Sequence, residues 1–404
     1  MTGQTKNRKF YPAKPWPGFR LIMRKIQRGN EEDMNREKVK HAFTAAQEIV
    51  KSHLKDFKGG FPAPASENQF YPRIENIDWT AGFYTGMLWM FYEESKDTIF
   101  RETAQEHLKS FDNRINKRIW VDHHDMGFIY SPSCVAAYKL TGNTKAKETA
   151  LKAASNLRSR FQEKGQFIQA WGMIGDTNEY RLIIDCLLNL PLLYWAFEET
   201  KDISYQEVAL AHLKTALSVL IRDDFSTYHT YYFNQKDGSP AYGATKQGYS
   251  DESAWSRGQA WGIYGIALNY PHYRKDSLKT TWKGVTDYFL AHLPKDLAAY
   301  WDLYFMEGDE PRDSSASAIA VCGILEACRQ KLCPESYSQK AYAILESLID
   351  HYAAKTEDVG NGVLKHSTYG RLLGEGIDEY CLWGDYFYVE ALMRALHPDW
   401  EMYW

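Results

Sequence analysis

Two aspartates stand in surroundings that should give them opposite proton affinities. Asp185 follows Leu182, Ile183 and Ile184 and precedes Cys186, Leu187 and Leu188. In so apolar a setting, desolvation raises a carboxyl's pKa and suits it to donate a proton near neutral pH. Asp125 lies in VDHHDMGF beside Asp122, His123 and His124, a polar neighbourhood in which it is expected to stay ionised. Two carboxyls so contrasted can divide the work of proton donor and charge stabiliser. His123, His124 and Asp125 would alternatively ligate a metal, but adjacent residues point apart on any regular element, and neither HExxH nor a spaced third ligand accompanies them. The reading adopted is metal-free.

Other residues suit a ligand. His229, in the aromatic run YHTYYF, is placed to reach a cleft and equally to pack against Tyr228 and Tyr231. Arg257 lies among Trp255, Gln259 and Trp261 at a helix start, where the helix dipole disfavours a cation and an anion must compensate it. A substrate carboxylate would serve, as would Asp251 or Glu252 within the chain. Trp79, Trp171 and Trp261 each stand at or just before a helix start, where they can fill a core or stack on flat sugar faces. Three at one end favour a cleft, and carboxyls, aromatics and one Arg together suit an acidic saccharide.

The elements that must position these residues repeat. A polar head followed by a run of small and aromatic residues recurs six times, from Asp78, Asp125, Asp185, Ser256, Asp313 and Asp385, with starts 47 to 72 residues apart. These runs have almost no charged face. Amphipathic stretches such as REKVKHAFTAAQEIVKSHL, AKETALKAASNLRSRFQ and YQEVALAHLKTALSVLI alternate with them. Six enclosed helices alternating with six half-exposed ones make two concentric rings, an all-α (α/α)6 barrel. Antiparallel pairing then puts Asp78, Asp125, Asp185, Arg257, Asp313 and Asp385 around one mouth, although each aspartate would also serve as an ordinary helix N-cap. Long aromatic segments precede the mouth, one containing a β-hairpin around a KDG turn, while the opposite connections such as TGNTK are short.

Composition removes whole classes of function. With 44% hydrophobic and 25% charged residues the chain is globular, and a net charge of -4 gives no reason to expect nucleic acid or an anionic membrane as partner. No apolar run is long enough to span a bilayer and the first residues carry no secretory core, so a cytoplasmic protein is expected. Residues 1–30 hold eight Lys or Arg and no acid, and read as a solvated basic arm ahead of a single domain over 31–404. The six cysteines show no CxxC and read as reduced, mostly core thiols. Aromatic residues reach 15%, more than a core alone usually requires.

The motifs HDMGFIYSPS (124–133), RLIIDCLLNLPLL (181–193), SRGQAWGIYG (256–265) and CLWGDYFYVEAL (381–392) resemble the unsaturated glucuronyl hydrolases, glycoside hydrolase family 88, over most of the chain. The resemblance implies the six-hairpin barrel, Asp185 as general acid and base, and Asp125 as the second essential carboxylate. It further implies that His229, Gln247, Arg257, Trp171 and Trp261 line the sugar subsite, with Trp79 and His124 as wall positions. The implied substrates are small unsaturated disaccharides left by polysaccharide lyases acting on hyaluronan, chondroitin or heparin-type chains. Cleavage would proceed by hydration of the C4=C5 enol ether, without metal or organic cofactor, in a monomer or homodimer. Lys246 departs from the pattern where some members have His, and Lys365, Ser367 and Arg371 offer no clean match to a sulfate cluster. The alternatives are the sister activity on unsaturated rhamnogalacturonan disaccharides, and a non-catalytic glycan-binding toroid.

Overall fold

The computed structural model describes residues 36–404, so the basic arm over 1–30 lies outside the described residues. Within them, helices alternate between two rings. The outer ring comprises α1 (Arg36–His53), α3 (Thr98–Asn116), α5 (Thr144–Arg158), α7 (Ile203–Leu220), α9 (Asp276–Ala291) and α11 (Ser336–Ser347). The inner ring comprises α2 (Ala81–Ser95), α6 (Pro191–Thr200), α8 (Ser256–Asn269), α10 (Ser314–Arg329), α12 (Leu382–Leu396) and an irregular α4, built from Met126–Tyr130, a π-helical turn Ser131–Val135, and Ala136–Thr141. This is the (α/α)6 barrel that the alternation predicts.

Burial follows the sequence pattern. In α1 only one stripe is enclosed, Val39, Phe43, Ala46, Ile49 and Val50, as an amphipathic surface helix requires. Every residue of α8, by contrast, is buried. The plain end is tied by short connectors with one chemistry: Lys96, Gly142 and Lys201 take left-handed conformations that close α2, α4 and α6. The next residues, Asp97, Asn143 and Asp202, cap α3, α5 and α7 through their side chains.

The aspartates heading the inner helices behave otherwise. Asp125 and Asp313 occupy cap positions, yet neither side chain accepts a capping hydrogen bond. Asp185 stands in a 3-10 turn, Ile184–Leu188, ahead of α6. The run from Asp185 reads as one helix in sequence, but Pro191 has no N–H to offer an upstream carbonyl and fits the first helical turn, so the regular helix begins there. Asp385 lies within the first turn of α12 and does not face the mouth. It accepts from the backbone N–H of Val363 and Leu364 at 3.0 and 2.8 Å and from the Tyr71 hydroxyl at 2.9 Å, anchoring a loop.

Two small sheets shape the mouth. The expected hairpin is present as β6 (Thr230–Phe233) and β7 (Pro240–Ala244), paired antiparallel. It gains a strand that sequence patterning did not indicate, β5 (Arg181–Ile183), which pairs Ile183 with Thr230 and runs straight into the Asp185 turn. A second hairpin, β8 (Ser367–Gly370) with β9 (Glu375–Glu379), was likewise not anticipated. The remaining pairs are short: β1 (Phe61–Pro62) with β2 (Arg73–Ile74), and β3 (Phe161–Gln162) with β4 (Phe167–Ile168). No described helix is long and apolar enough to cross a membrane.

Candidate active site

A cleft of about 190 Å³ opens where the inner helices begin, lined by Trp79, Asp125, Trp171, Arg181, Ile183, Asp185, His229, Lys246, Gln247, Trp255, Arg257, Trp261 and Tyr369. Eight of the nine residues singled out from sequence are in that wall, and the ninth, His124, lies directly behind it. The histidine is fully buried, with Nε2 3.3 Å from Asp125 Oδ1 and 3.4 Å from Asp185 Oδ1. Neither of its ring nitrogens has a hydrogen-bond partner among the described residues.

The two aspartate segments are stitched together by Asn189. Its Oδ1 accepts from the Phe128 N–H at 2.8 Å, and its Nδ2 donates to the Asp185 carbonyl at 3.3 Å. Such closeness requires Gly127, since a Cβ there would lie 2.5 Å from Asn189 Cα and 2.9 Å from its carbonyl oxygen. Gly127→Ala is therefore expected to lower the unfolding free energy by about 1–3 kcal/mol through overpacking. Denaturant melts check this, and an unchanged midpoint would mean that the two segments part at no cost.

Burial sets the electrostatics. Asp185 takes the apolar setting that its neighbours predict: its side chain is 18% exposed, Oδ1 has no hydrogen-bond partner, and burial together with the charge of Asp125 raises its pKa well above the ordinary carboxylate value. Asp125 corrects the expectation of a wet, ionised group. It is 2% exposed, and burial, with the charge of Asp78 adding to it, pushes its carboxyl up to about 8. Polar neighbours in sequence do not amount to solvent. His123 is driven down to about 3 and His124 well below the usual imidazole value by the same burial, so neither supplies a positive charge at neutral pH. His123 Nδ1 lies 3.0 Å from Asp125 Oδ2, and its ring stacks on Trp171 with centroids 4.7 Å apart.

The trio His124, Asp125 and Asp185 presents ligand atoms within 4.8 Å of one another, a spacing that could hold a small cation. The sequence argument that adjacent residues diverge fails here, because His124 and Asp125 precede α4 on irregular backbone.

Arg257 finds its anion inside the protein, and the partner is neither Asp251 nor Glu252. Its Nη1 pairs with Asp313 and donates to the Thr368 carbonyl at 2.8 Å. Its Nη2 donates to Gln247 Oε1 at 2.9 Å and to the Tyr369 carbonyl at 2.7 Å. The side chains of Arg257 and Asp313 are 1% and 0% exposed. Trp255 and Trp383 flank the guanidinium at 4.5 and 4.8 Å.

The three tryptophans occupy three depths. Trp171 is at the rim, 36% exposed. Trp79 stacks on Trp383 and donates to the Tyr369 hydroxyl at 3.1 Å. Trp261 is buried against Phe128 and Phe387 while still reaching the cleft, so it is core and wall at once. His229 likewise does both: its carbonyl accepts from the Ile184 N–H at 3.1 Å, its ring lies 4.3 Å from that of Trp255, and Nδ1 accepts from the Lys246 N–H at 3.0 Å. Burial takes its pKa down to about 3.

Sequence reasoning missed Arg181, Ile183, Trp255 and Tyr369 as wall residues. Arg181 and Ile183 stand in the motif that carries Asp185, which could have flagged them, whereas Tyr369 arrives on the unanticipated β8 hairpin. Of the sulfate trio, Lys365 pairs with Asp358 at 2.8 Å, Ser367 is buried against the Ser314 hydroxyl at 2.9 Å, and Arg371 faces Glu310 at 3.5 Å. Each is occupied internally.

Comparison with known proteins agrees with this geometry. The family profile described as Glycosyl Hydrolase Family 88 matches residues 54–395. An unsaturated chondroitin disaccharide hydrolase of Streptococcus pneumoniae is 47% identical over 378 residues, covering 92% of this chain and 95% of that protein. The crystal structure of an unsaturated glucuronyl hydrolase from Streptococcus agalactiae superposes with a TM-score of 0.91 at 43% identity, covering 98% of this chain and 100% of that one. A mutant of the S. agalactiae enzyme complexed with dGlcA-GalNAc6S superposes with a TM-score of 0.83 at 40% identity, over the same shares of the two chains.

Proposed function

The chain belongs to glycosyl hydrolase family 88, and from that premise we propose that it hydrolyses the unsaturated glucuronyl disaccharides that polysaccharide lyases release from glycosaminoglycans. The observation that carries the reading is the pair Asp125 and Asp185, held in one aromatic-walled cleft on either side of His124. The scaffold alternative, in which inner-ring aspartates serve as caps, loses support at Asp125 and Asp313, whose side chains accept no capping hydrogen bond.

In the proposed reaction Asp185 delivers a proton to C4 of the C4=C5 enol ether. Positive charge develops at C5 and the ring oxygen, where Asp125 stabilises it in those molecules of the coupled pair whose single proton sits on Asp185. Asp185, now a carboxylate, takes a proton from water as the oxygen adds at C5. The resulting hemiketal opens to a C5 ketone, and the hemiacetal left at C1 expels the partner sugar as an alcohol. One water is added in all, and the glycosidic bond breaks by rearrangement. The proton shuttle is carried by a side chain whose proton affinity is raised well above that of an ordinary carboxylate, by burial first and by the charge of Asp125 second.

The sign of the pH dependence follows. Both carboxyls have folded-state values above their ordinary one, so folding takes up protons at these sites. Their contribution to stability is complete below about pH 4 and is lost as pH rises through the folded-state values. Turnover needs one proton on the pair, seated on Asp185, so it should fall on the acid side as Asp125 is protonated and on the alkaline side as Asp185 ionises. A profile flat from roughly pH 5 to 10 would remove the pair from proton transfer.

The direct test is loss of the ultraviolet absorbance of the conjugated enol ether when the protein meets unsaturated hyaluronan and chondroitin disaccharides. Consumption of an unsaturated rhamnogalacturonan disaccharide instead would transfer the assignment to the sister activity. The six cysteines, none in a disulfide, fit a reducing compartment and support a cytoplasmic location.

A further inference from the structure

Four of the six cysteines are buried, and the two that are half-exposed, Cys328 and Cys333, touch each other. Cys328 lies in the last turn of α10 and Cys333 on the connector to α11, with their Sγ atoms 3.4 Å apart. Both stand at the plain end of the barrel, at the far end of α10 from Asp313.

The way α10 ends brings the two sulfurs together. Lys331 takes a left-handed conformation, φ 56°, and the chain doubles back on the helix. The Leu332 N–H donates to the Ala327 carbonyl at 2.9 Å and the Lys331 N–H to the Cys328 carbonyl at 3.0 Å, the paired bonds of a Schellman ending. Leu332 is buried in the core, which pins the reversal, and the Tyr337 hydroxyl donates to Asp287 on α9 at 2.7 Å, which anchors the start of α11. Residue 333 is thus held over residue 328 by main-chain bonds and by packing on both sides. The sulfurs are not equivalent. Contact with Cys328, with burial adding to it, raises the Cys333 thiol well above its usual value, so Cys333 keeps its proton while Cys328 carries charge. Once that charge is gone, Cys333 can ionise in its turn.

We propose that Cys328 and Cys333 form a dithiol site that a low-molecular-weight disulfide, such as oxidised glutathione, converts to an intrachain disulfide. The Cys328 thiolate attacks one sulfur of the small disulfide, whose S–S bond breaks and releases one small thiolate. Cys333 then gives up its proton and attacks the Cys328 sulfur, expelling the second small thiolate. Two cysteine thiols and one small disulfide thus give one protein disulfide and two small thiols. The site goes beyond the activity proposed above and does not depend on it. In a reducing compartment the pair stays open until the small disulfide accumulates.

The experiment equilibrates the full chain with reduced and oxidised glutathione and maps the products by mass after tryptic digestion. Arg329 and Lys331 lie between the two cysteines, so trypsin leaves them on peptides joined only by the new bond. The folded chain should form that bond with an equilibrium constant at least about 10-fold above that of the same chain in urea, because the fold already holds the ends of the loop together. By linkage the oxidised chain should gain stability against urea by the same factor, about 1.4 kcal/mol for each tenfold. Cys333→Ser should stop at a glutathione adduct on Cys328, whereas Cys328→Ser should take up little glutathione at Cys333. The proposal is overturned if the folded chain gains no bond between the two cysteines, if the bond forms as readily in urea, or if each cysteine collects its own glutathione. It also fails if the adduct accumulates on Cys333 in Cys328→Ser rather than on Cys328 in Cys333→Ser.

Discussion

Asp185→Asn is expected to yield a folded protein with turnover reduced by about 10²- to 10⁴-fold, the range typical for loss of a general acid or base. In barrier terms this is about 3–5 kcal/mol. Folding should survive because Asp185 Oδ1 makes no hydrogen bond in the native state, and because asparagine has the same shape without an ionisable group to desolvate. The turn that displays residue 185 is held by other atoms, namely the Asn189 amide on its carbonyl and the β5 ladder just before it. Thermal melts alongside the absorbance assay separate the two effects. A purified variant that melts normally and retains near wild-type rates would end the assignment of Asp185 as proton donor.

Arg257→Ala is expected to cost stability and activity together. Removing the guanidinium leaves Asp313 buried, with Ser315 as its remaining side-chain partner, and breaking a buried ion pair from one side typically costs about 3–5 kcal/mol. The same change releases the carbonyls of Thr368 and Tyr369, so the β8 hairpin loses its tether and the Tyr369 wall its position. Gln247 loses the contact that orients its amide. Replacing both members of the pair, as in Arg257→Met with Asp313→Leu, should therefore be less destabilising than either single change, because no uncompensated charge remains. Denaturant melts of the three variants measure the coupling. Additive losses would show that the pair contributes little as a pair. Turnover should stay low in the double variant even where stability returns, since Gln247 and the hairpin are still unheld.

The two predictions rest on residues that differ in how far sequence reaches them. Asp185 stands in a turn whose flanking residues Ile184, Cys186, Leu187 and Leu188 are buried, so the desolvation that raises its proton affinity could be inferred from the text around it, whereas the added charge of Asp125 could not. The surroundings of Asp125 come from elsewhere: the charges of Asp78, Arg160 and Arg114 act on it, and the polar string that flanks it describes none of them. The ion pair of Arg257 joins residues 56 positions apart in chain order. A helix start explains why an anion is needed there, but nothing local selects Asp313 over Asp251 or Glu252.

Sequence alone determined the barrel, because helix periodicity and burial are local properties. A run without a charged face must be enclosed and a run with one wet stripe must face solvent, and six of each close only as two rings. It also picked out eight of the thirteen residues that line the cleft, through motifs in which chain order and spacing survive. Tertiary structure decided how those residues are charged and held. It took Asp385 out of the mouth by seating it beneath two backbone N–H groups, broke the expected helix at Pro191 to present Asp185 on a turn, and brought the β8 hairpin across to occupy Arg257. Desolvation and ion pairing depend on what lies within a few ångströms in space, and for these groups the nearest partners are remote in the chain.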